Sequence, residues 1–409
     1  MQTRLAPEFL DMPLGQEAES ILRRCVHCGF CLSTCPTYRL TGNELDSPRG
    51  RIYLIKQLLE GKEAGSETQH HLDRCLGCRA CETACPSGVS YHRLADIGRH
   101  LLEQQVMRHP LDRVKRAFLL RVLRNRPIMQ GVASLGRLAR PVVPNWTASL
   151  GERTKDTHKP AQDGEPWLLL AGCVQPALLP NVHAATRQVL AACGIKAISL
   201  NSCCGALAWH LNASWEGLND MRQTIDQARV AFANGVAGLI YDATGCGATI
   251  AEYGRLLADD PAYATPAAEV AANAYDISTV VARHLDRLLP QLSPPADPRI
   301  AFHAPCSLQH GLRRKGEVET LLERLGYLLL PVSDAHQCCG SAGTYSLLQP
   351  KLAEQLRTDK LTKLMQGQPP VIATANVGCQ CHLQAESPVP VRHWIELIAE
   401  RLAATQRPA

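Results

Sequence analysis

Three features are missing from this 409-residue sequence, and each absence narrows the possible functions. No run of about 18 apolar residues is present, so the sequence predicts no membrane-spanning helix. No Gly-x-Gly-x-x-Gly follows a predicted strand, so we expect no dinucleotide bound to this chain. Basic residues are not interleaved with aromatic ones and no known binding motif is found, so we expect no nucleic-acid partner.

The composition nevertheless supports folded domains and metal binding. Hydrophobic residues make up 45% of the chain, and its length is typical of roughly two to four domains. The first 20 residues include acidic residues and no apolar core segment, so we expect no secretory signal. In such a chain, 18 cysteines are more typical of metal ligation than of disulfides, and we therefore expect the reducing cytoplasm.

One cysteine pattern, C-x2-C-x2-C-x3-C-P, occurs twice near the N-terminus. The first copy is Cys25, Cys28, Cys31, Cys35 and Pro36, and the second is Cys75, Cys78, Cys81, Cys85 and Pro86. This spacing is typical of bacterial ferredoxins, in which cysteine thiolates hold [4Fe–4S] clusters. Zinc sites also use C-x2-C pairs, but two identical four-cysteine runs match zinc-ribbon spacing poorly.

The fourth cysteine of each run is expected to ligate the cluster of the other run, because it leaves the loop formed by the first three. One cluster is thus predicted to have the ligands Cys25, Cys28, Cys31 and Cys85. The other is predicted to have the ligands Cys75, Cys78, Cys81 and Cys35. Electron transfer requires no catalytic side chain, and none is assigned.

The segments around these runs are predicted to be helical. Residues 46–61 open with Asp-Ser-Pro, a helix start signal, and place Ile52, Ile55, Leu58 and Leu59 on one face. A second short helix, over residues 66–75, leads into the second run. We therefore predict a helical ferredoxin domain with two [4Fe–4S] clusters over residues 1–105.

Residues 106–165 are predicted to form a basic helical connector that ends in a polar linker over 154–165. Residues 101–142 contain nine basic and two acidic residues, so this segment carries +7 although the whole chain carries only +5. A basic amphipathic stretch can lie on an anionic membrane surface or dock an acidic partner. Alternatively, its arginines pair with acids elsewhere and the segment is a solvated connector.

Short apolar runs alternate with helical patterns after the linker, which predicts α/β domains with parallel sheets. The plan repeats: Cys173 and Cys306 are 133 residues apart, Cys203 and Cys338 are 135 apart, and Cys246 and Cys379 are 133 apart. This period indicates an internal duplication. We predict one α/β domain over residues 166–290 and a second over 298–403, joined by the proline-rich residues 291–298.

Each repeat has one cysteine after its first strand, a Cys-Cys-Gly, and a later cysteine after another strand. Ligands collect at the carboxyl ends of strands in open α/β sheets, and four thiols there form a soft metal site. Two further metal sites are therefore candidates: Cys173, Cys203, Cys204 and Cys246, and Cys306, Cys338, Cys339 and Cys379. A single buried cysteine is usually a small core residue, but matched sets in two repeats favour ligation.

Two cysteines lie outside these sets. Cys193, at the end of an apolar helix, is predicted to be a core residue, whereas Cys381 is a candidate extra ligand two residues after Cys379. Three histidines near the motifs are expected to be hydrogen-bond partners: His303, His310 and His336. His382 is the candidate for a further role, because it stands three residues after Cys379.

These motifs together resemble the iron–sulfur subunit family of bacterial glycolate oxidase. The resemblance covers almost the whole chain and is weakest over residues 101–165. It is carried by RRCVHCGFCLSTCPTYRLTGNELDSPRGRIYLIKQ, HLDRCLGCRACETACPSGVSYH, QCCGSAGTYSL, ATANVGCQCHL and VRHWIEL. It implies a complex with FAD-binding subunits that oxidise glycolate to glyoxylate, and often D-lactate, while this chain passes electrons towards a membrane quinone. A cytoplasmic protein peripheral on the inner membrane is thus expected.

The cluster and Cys-Cys-Gly motifs are shared with two other families, which stay open as alternatives. These are the iron–sulfur subunit of anaerobic glycerol-3-phosphate dehydrogenase and the catalytic subunits of heterodisulfide reductases. In the latter, each repeat ends in C-x2-C and five cysteines hold a non-cubane cluster. Here Thr249 and His382 replace the final cysteine, which argues against disulfide chemistry. The repeats would then bind a cluster, bind another metal, or serve only as a scaffold that contacts the flavin subunits.

Overall fold

The computed structural model describes residues 1–138 and 164–405. Its described residues divide into two compact units. The first comprises Met1–Ala117 and His336–Arg357, and the second comprises Phe118–Ala335 and Thr358–Ala409. Most of the predicted linker, over residues 154–163, lies outside the described residues. The four-domain division at residues 105, 165 and 290 stays a prediction.

The first unit is helical. Its helices before the boundary at Ala117 are Pro7–Leu10, Pro13–Arg24, Pro36–Thr41, Pro48–Leu59, Ser66–Asp73, Ala80–Thr83 and Tyr91–Gln105, with a 3₁₀ turn at Glu44–Asp46. Helix Pro110–Arg124 crosses that boundary, and helix Arg126–Leu138 lies in the second unit. Several of these helices begin with proline, whose fixed φ suits the first turn and whose missing N–H has no helical partner there. The helical character predicted for residues 1–105 is confirmed.

Helix Pro48–Leu59 lies at the centre of this unit. Ser47 caps its N-terminus by accepting a hydrogen bond of 2.9 Å from the Gly50 N–H. The predicted apolar face is buried, with Ile52, Ile55, Leu58 and Leu59 at most 3% exposed. It packs against helix Tyr91–Gln105, where Leu94, Ile97 and Leu101 continue the same core. This core holds the two cysteine runs at its edge.

The second unit contains two parallel sheets of four strands each. The strands are β1 Glu165–Leu170, β2 Ile195–Leu200, β3 Leu239–Tyr241, β4 Ala274–Asp276, β5 Arg299–His303, β6 Leu328–Leu329, β7 Ile372–Thr374 and β8 Val391–His393. The first sheet has the order β2-β1-β3-β4 and the second has the order β6-β5-β7-β8. The same order in both sheets agrees with the duplication inferred from the cysteine period.

Helices connect these strands. They are Gln175–Leu178, Pro180–Ala192, Ala206–His210, Ser214–Ala233, Thr244–Ile250, Tyr253–Leu256, Ala264–Ala272, Ile277–Arg283, Leu285–Leu288, Glu317–Arg324, Val377–Gln384 and Trp394–Thr405. Helices Tyr345–Leu348 and Pro350–Leu364 lie in or begin in the first unit, and Leu289–Gln291 and Ser307–Gly311 are 3₁₀ and π turns. The α/β class predicted after the linker is confirmed.

One apolar cluster of the second unit contains residues of both sheets. Leu169 of β1 and Ile300 of β5 belong to one cluster with Val189 and Ile398, all fully buried. The two sheets therefore share part of their core. No helix in the described part of the chain is long and apolar enough to cross a membrane.

Candidate metal centres

One cavity in the first unit is lined by all four ligands predicted for the first cluster. Cys25, Cys28 and Cys31 of the first run line this cavity together with Cys85 of the second. Cys81 of the second run also lines this cavity. The fourth cysteine of one run therefore lies beside the first three of the other, as cross-ligation requires.

A second cavity has the complementary set. Cys75, Cys78 and Cys81 line it together with Cys35 of the first run. Pro48, Cys81 and Tyr91 line both cavities, so the two spaces are neighbours within one unit. Cys28 is exposed at the first cavity, whereas Cys35 at the second is buried.

The loops between the cysteines bend the backbone in the same way in both runs. The second residue after the first cysteine is His27 in one run and Gly77 in the other, with φ of 55° and 64°. The fourth is Gly29 or Arg79, with φ of 86° and 61°. Left-handed residues at alternate positions turn N–H groups inward, and such concave backbone suits an anionic cluster. His27 and Arg79 adopt this conformation although it is strained for residues other than glycine.

Hydrogen bonds from the protein reach the cysteine sulfurs. The Gly77 N–H and the Tyr91 hydroxyl each donate to Cys75 Sγ over 3.5 Å, and the Val89 N–H donates to Cys85 Sγ over the same distance. Hydrogen bonds to ligand sulfurs stabilise the reduced cluster and are one of the ways by which a protein sets its potential. Cys75 receives two of these three bonds.

The thiols differ in how easily they ionise. Burial opposes ionisation of Cys75, but the Arg51 and Arg99 charges and the hydrogen bonds from Tyr91 and Gly77 outweigh it and lower its pKa. Burial raises the pKa of Cys31 to about 11, and nearby cysteines add to the effect. Burial and neighbouring cysteines also raise the pKa of Cys81. A cationic cluster core is the partner that such crowded thiolates require.

The Cys-Cys-Gly segment of the second repeat belongs to the first unit. The Tyr345 hydroxyl donates to the Arg74 carbonyl over 3.2 Å, and the Gln337 amide donates to the Thr34 carbonyl over 3.5 Å. Tyr345 is buried within the electrostatic reach of both Cys75 and Cys338. This segment therefore packs beside the second cavity.

The glycines of the two Cys-Cys-Gly motifs have a common role. Gly205 and Gly340 have φ of 83° and 92°, a conformation that favours glycine. A Cβ on Gly205 would lie 2.6 Å from the Gly217 carbonyl oxygen, and one on Gly340 would lie 2.7 Å from that of Ala353. Each glycine thus lets the two cysteines before it turn against a following helix.

The four cysteines of the first repeat converge in the second unit. Thiol hydrogen bonds link Cys173 to Cys203, Cys203 to Cys204, and Cys204 to Cys246. The bonds from Cys173 and Cys204 lower the pKa of the Cys203 thiol well below its usual value. A thiol chain with one readily ionised member is the donor set that a soft metal prefers.

The backbone around this thiol group is held by polar side chains. The Thr224 hydroxyl donates to the Cys203 carbonyl over 2.8 Å, and the Tyr253 hydroxyl donates to the Cys204 carbonyl over 3.1 Å. Arg124 forms a bidentate ion pair with Asp220, at 2.6 and 2.9 Å, next to Cys203. The Arg124 charge therefore contributes to the lowered pKa of that thiol.

The second repeat is arranged differently. Cys306 and Cys379 belong to the second unit, whereas Cys338 and Cys339 belong to the first. His303, at the end of β5, has a ring nitrogen within 4.8 Å of Cys379 Sγ. Neither of its buried ring nitrogens has a hydrogen-bond partner among the described residues, contrary to the role expected for it. Burial lowers the pKa of His303 well below its usual value, so its imidazole is neutral.

Asn376 connects the two repeats within the second unit. Its side-chain oxygen accepts a hydrogen bond of 3.1 Å from the Gly245 N–H, next to Cys246. Its amide nitrogen lies 3.5 Å from Cys379 Sγ and donates to it. One side chain thus touches the loops of the last cysteine in both repeats.

The two remaining cysteines lie in the apolar core. Cys193 is fully buried there, as predicted, and burial raises its pKa to about 12. Cys381 is partly buried and packs against the same core. Burial raises its pKa to about 12 as well, so both thiols stay protonated at neutral pH.

Comparison with known proteins agrees with both sets of sites. The family model of the 4Fe-4S dicluster domain matches residues 21–89, and that of the cysteine-rich domain matches residues 167–251 and 300–384. The glycolate oxidase iron-sulfur subunit of Escherichia coli is 46% identical over 98% of this chain and 99% of that protein. The chain belongs to the glycolate oxidase iron–sulfur subunit family. The predicted iron–sulfur cofactors and the duplicated cysteine-rich domains are thereby confirmed.

More distant relatives extend this picture. The probable glycolate oxidase iron-sulfur subunit of Bacillus subtilis is 31% identical over 88% of both chains. Lactate utilization protein A of Geobacillus thermodenitrificans is 26% identical over 57% of this chain and 98% of that protein. Membership of this family makes the chain a subunit of an oxidoreductase complex.

Sequence reasoning missed several residues around the centres. Arg51 could have been identified from the sequence, because its spacing from Ile55, Leu58 and Leu59 puts it on the buried face of its helix. A charged residue at such a position must have a partner inside the protein. Asn376 and Asp220 have no such signal, since their contacts join segments that are far apart in the sequence.

Proposed function

We propose that this chain carries electrons in a flavin-dependent dehydrogenase of glycolate, and also of D-lactate. The observation that carries the proposal is the pair of neighbouring cavities, because the lining of each includes the first three cysteines of one run and the fourth of the other. Two clusters held by these residues would supply single-electron exchange. The substrates are suggested by the printed names of the glycolate oxidase and lactate utilization relatives.

In this proposal Cys25, Cys28, Cys31 and Cys85 hold the first cluster. The second is held by Cys75, Cys78, Cys81 and Cys35. The chain's own N–H, hydroxyl and guanidinium groups would stabilise the reduced form of a bound cluster, which would supply one-electron transfer. Substrate oxidation takes place on partner subunits that bind FAD, and the electrons continue to a quinone in the inner membrane. The protein then works on the cytoplasmic side, at the membrane surface.

We propose that the first repeat also binds a metal centre, an additional iron–sulfur cluster, through Cys173, Cys203, Cys204 and Cys246. The linked thiol chain and the lowered pKa of Cys203 support this. For the second repeat, Cys306, Cys338, Cys339 and Cys379 remain the proposed ligands of a further site. Its Cys-Cys-Gly packs beside the second ferredoxin cavity, which suits a place in the same electron route.

Reconstitution tests whether the flavin subunits oxidise the substrate and this chain transfers the electrons. We expect this chain alone to show no glycolate-dependent dye reduction, because the substrate oxidation belongs to its partners. The flavin subunits alone should pass few electrons to a quinone analogue, and adding this chain should restore that transfer. Turnover of glycolate by the isolated chain would contradict the proposal, and so would full quinone reduction without it.

Helix Pro110–Arg124 supports the proposed membrane contact. Two arginines here already form ion pairs. Arg108, just before the helix, pairs with Asp73, and Arg116, on the helix, pairs with Asp73 and Asp112. In contrast, Leu111 and Val114 are 73% and 67% exposed, and Phe118 continues the same helical face. Arg113 and Arg121 are exposed beside them. An apolar stripe flanked by arginines suits an anionic lipid surface.

Vesicle sedimentation tests this contact. Val114→Asp should weaken binding of the complex to vesicles with anionic phospholipid by about tenfold or more, because it adds a repelled charge and removes an inserted side chain. Val230→Asp is the matched control, since Val230 is 65% exposed on a helix outside the stripe. Equal loss in both variants, or equal binding to neutral vesicles, would contradict a specific lipid-facing helix.

A further inference from the structure

Two arginines on one helix face the two ferredoxin cavities. Arg49 lines the cavity of Cys25, Cys28, Cys31 and Cys85, and Arg51 lines the cavity of Cys35, Cys75, Cys78 and Cys81. Both lie in the first turn of helix Pro48–Leu59. The sequence thus gives each proposed cluster one guanidinium from the same element, and the surroundings of the two arginines differ.

Arg49 is neutralised and hydrated. Its side chain is 31% exposed, and its Nε lies 2.8 Å from the Glu44 carboxylate. Solvent and an adjacent opposite charge both weaken the field of a cation. Arg49 therefore adds little to the electrostatic potential at the first cavity.

Arg51 is enclosed. Its side chain is 1% exposed, its Nε donates to the His71 carbonyl over 2.7 Å, and both terminal nitrogens lie 3.1 Å from Thr37 Oγ1. The nearest carboxylate, Asp46, is 3.5 Å away but is also bound by Arg74 at 2.7 Å. The positive charge of this group is therefore only partly cancelled, in a poorly hydrated place where charges act strongly.

Arg99 adds a second cation to the same cavity. It lines the space beside Cys75, and its guanidinium donates to the carbonyls of Leu72 and Cys75 over 2.9 and 2.8 Å. Carbonyl groups orient this charge without neutralising it. Arg79 also lines this cavity but is paired with Glu82 at 2.8 Å.

We infer that Arg51, supported by Arg99, gives the cluster held by Cys35, Cys75, Cys78 and Cys81 the higher reduction potential of the pair. Reduction adds one electron to a cluster, so a buried cation beside it stabilises the reduced state. An electron shared by the two clusters then rests on this one, which is also the one beside the Cys-Cys-Gly segment of the second repeat. The inference rests on the ligand sets of the proposed function.

The test is a potentiometric titration of the complex followed by electron paramagnetic resonance. Arg51→Gln should lower the midpoint of the second cluster so that the ratio of its reduced to oxidised form falls about tenfold at a fixed potential, or about 59 mV for one electron. The first cluster should shift less. Arg51→Lys keeps the charge and should restore most of the potential. Arg49→Gln, the matched control, should shift its own cluster less than Arg51→Gln shifts the second.

The outcomes separate this inference from the ligand assignment. Two [4Fe–4S] signals in the wild type support the ligand sets, and their absence counts against the proposed function itself. With both signals present, an unchanged second midpoint in Arg51→Gln overturns the inference, and so does an equal shift of both clusters. If Arg51→Gln loses the cluster, Arg99→Gln decides: a lowered second midpoint supports the role of the buried cations, and an unchanged one refutes it.

Discussion

Replacing Cys85 with alanine is expected to destroy the cluster whose other ligands are Cys25, Cys28 and Cys31, 54 to 60 residues away in the sequence. The reason is that Cys85 lines the cavity of the first run and, unlike Cys75, Cys78 and Cys81, does not line the cavity of its own run. A cubane that loses one of its four thiolates is not held as [4Fe–4S]. The cluster with Cys75, Cys78 and Cys81 should persist.

Cys35→Ala is the mirror-image variant. It should remove the second cluster and spare the first, because Cys35 lines only the second cavity. Cluster-resolved electron paramagnetic resonance of both variants, with iron and sulfide analysis, makes the comparison. Loss of the cluster nearest in sequence to each substituted cysteine would contradict cross-ligation.

Cys204→Ser is expected to remove the metal centre of the first repeat. Cys204 is hydrogen-bonded to both Cys203 and Cys246 and lies in the middle of the thiol chain, so its loss interrupts the donor set. If that centre is a cubane, iron should fall by about four per chain, because each cubane contains four irons. The two ferredoxin signals should remain.

Cys193→Ser is the control for this prediction. Cys193 is equally buried but is surrounded by apolar side chains, so its substitution lowers the free energy of unfolding without removing metal. Metal analysis for iron and zinc, together with thermal unfolding, distinguishes the two variants. A wild-type protein with only about eight irons and no zinc would contradict a metal in the first repeat.

Much of this architecture can be predicted from the sequence because its signals are local. The two C-x2-C-x2-C-x3-C-P runs specify their own loops, and the apolar spacing of Ile52, Ile55 and Leu58 identifies a buried helical face. Strands such as β1 and β5 appear as short apolar runs, and the cysteine period reveals the duplication. Each of these patterns depends only on residues close together in the chain.

Other elements lack such signals. Strands β4 and β8 have three residues each, and their pairing with β3 and β7 is what makes them strands. Residues 249–259 have a helical pattern, but the structure divides them between helices Thr244–Ile250 and Tyr253–Leu256, with a turn between Ile250 and Tyr253. In each of these cases tertiary contacts decide the local structure.

The surroundings of the sites were the least predictable part. The sequence predicted the ligands, but the difference between Arg49 and Arg51 comes from Glu44, Thr37 and solvent exposure. Likewise, Asn376 contacts Gly245 across more than 100 residues. Ligand identity depends on motif spacing, whereas the potential of a cluster depends on what the fold packs around it.

The central claim is that electrons from the 2-hydroxy acid pass through the clusters of this chain. It is tested most directly by mixing the anaerobic complex with glycolate, freezing it, and recording its electron paramagnetic resonance. We predict that the [4Fe–4S] signals appear on the time scale of a single turnover, and that Cys35→Ala abolishes the signal of the second cluster and slows quinone reduction. Clusters that stay oxidised while the complex reduces quinone at its full rate would contradict the account.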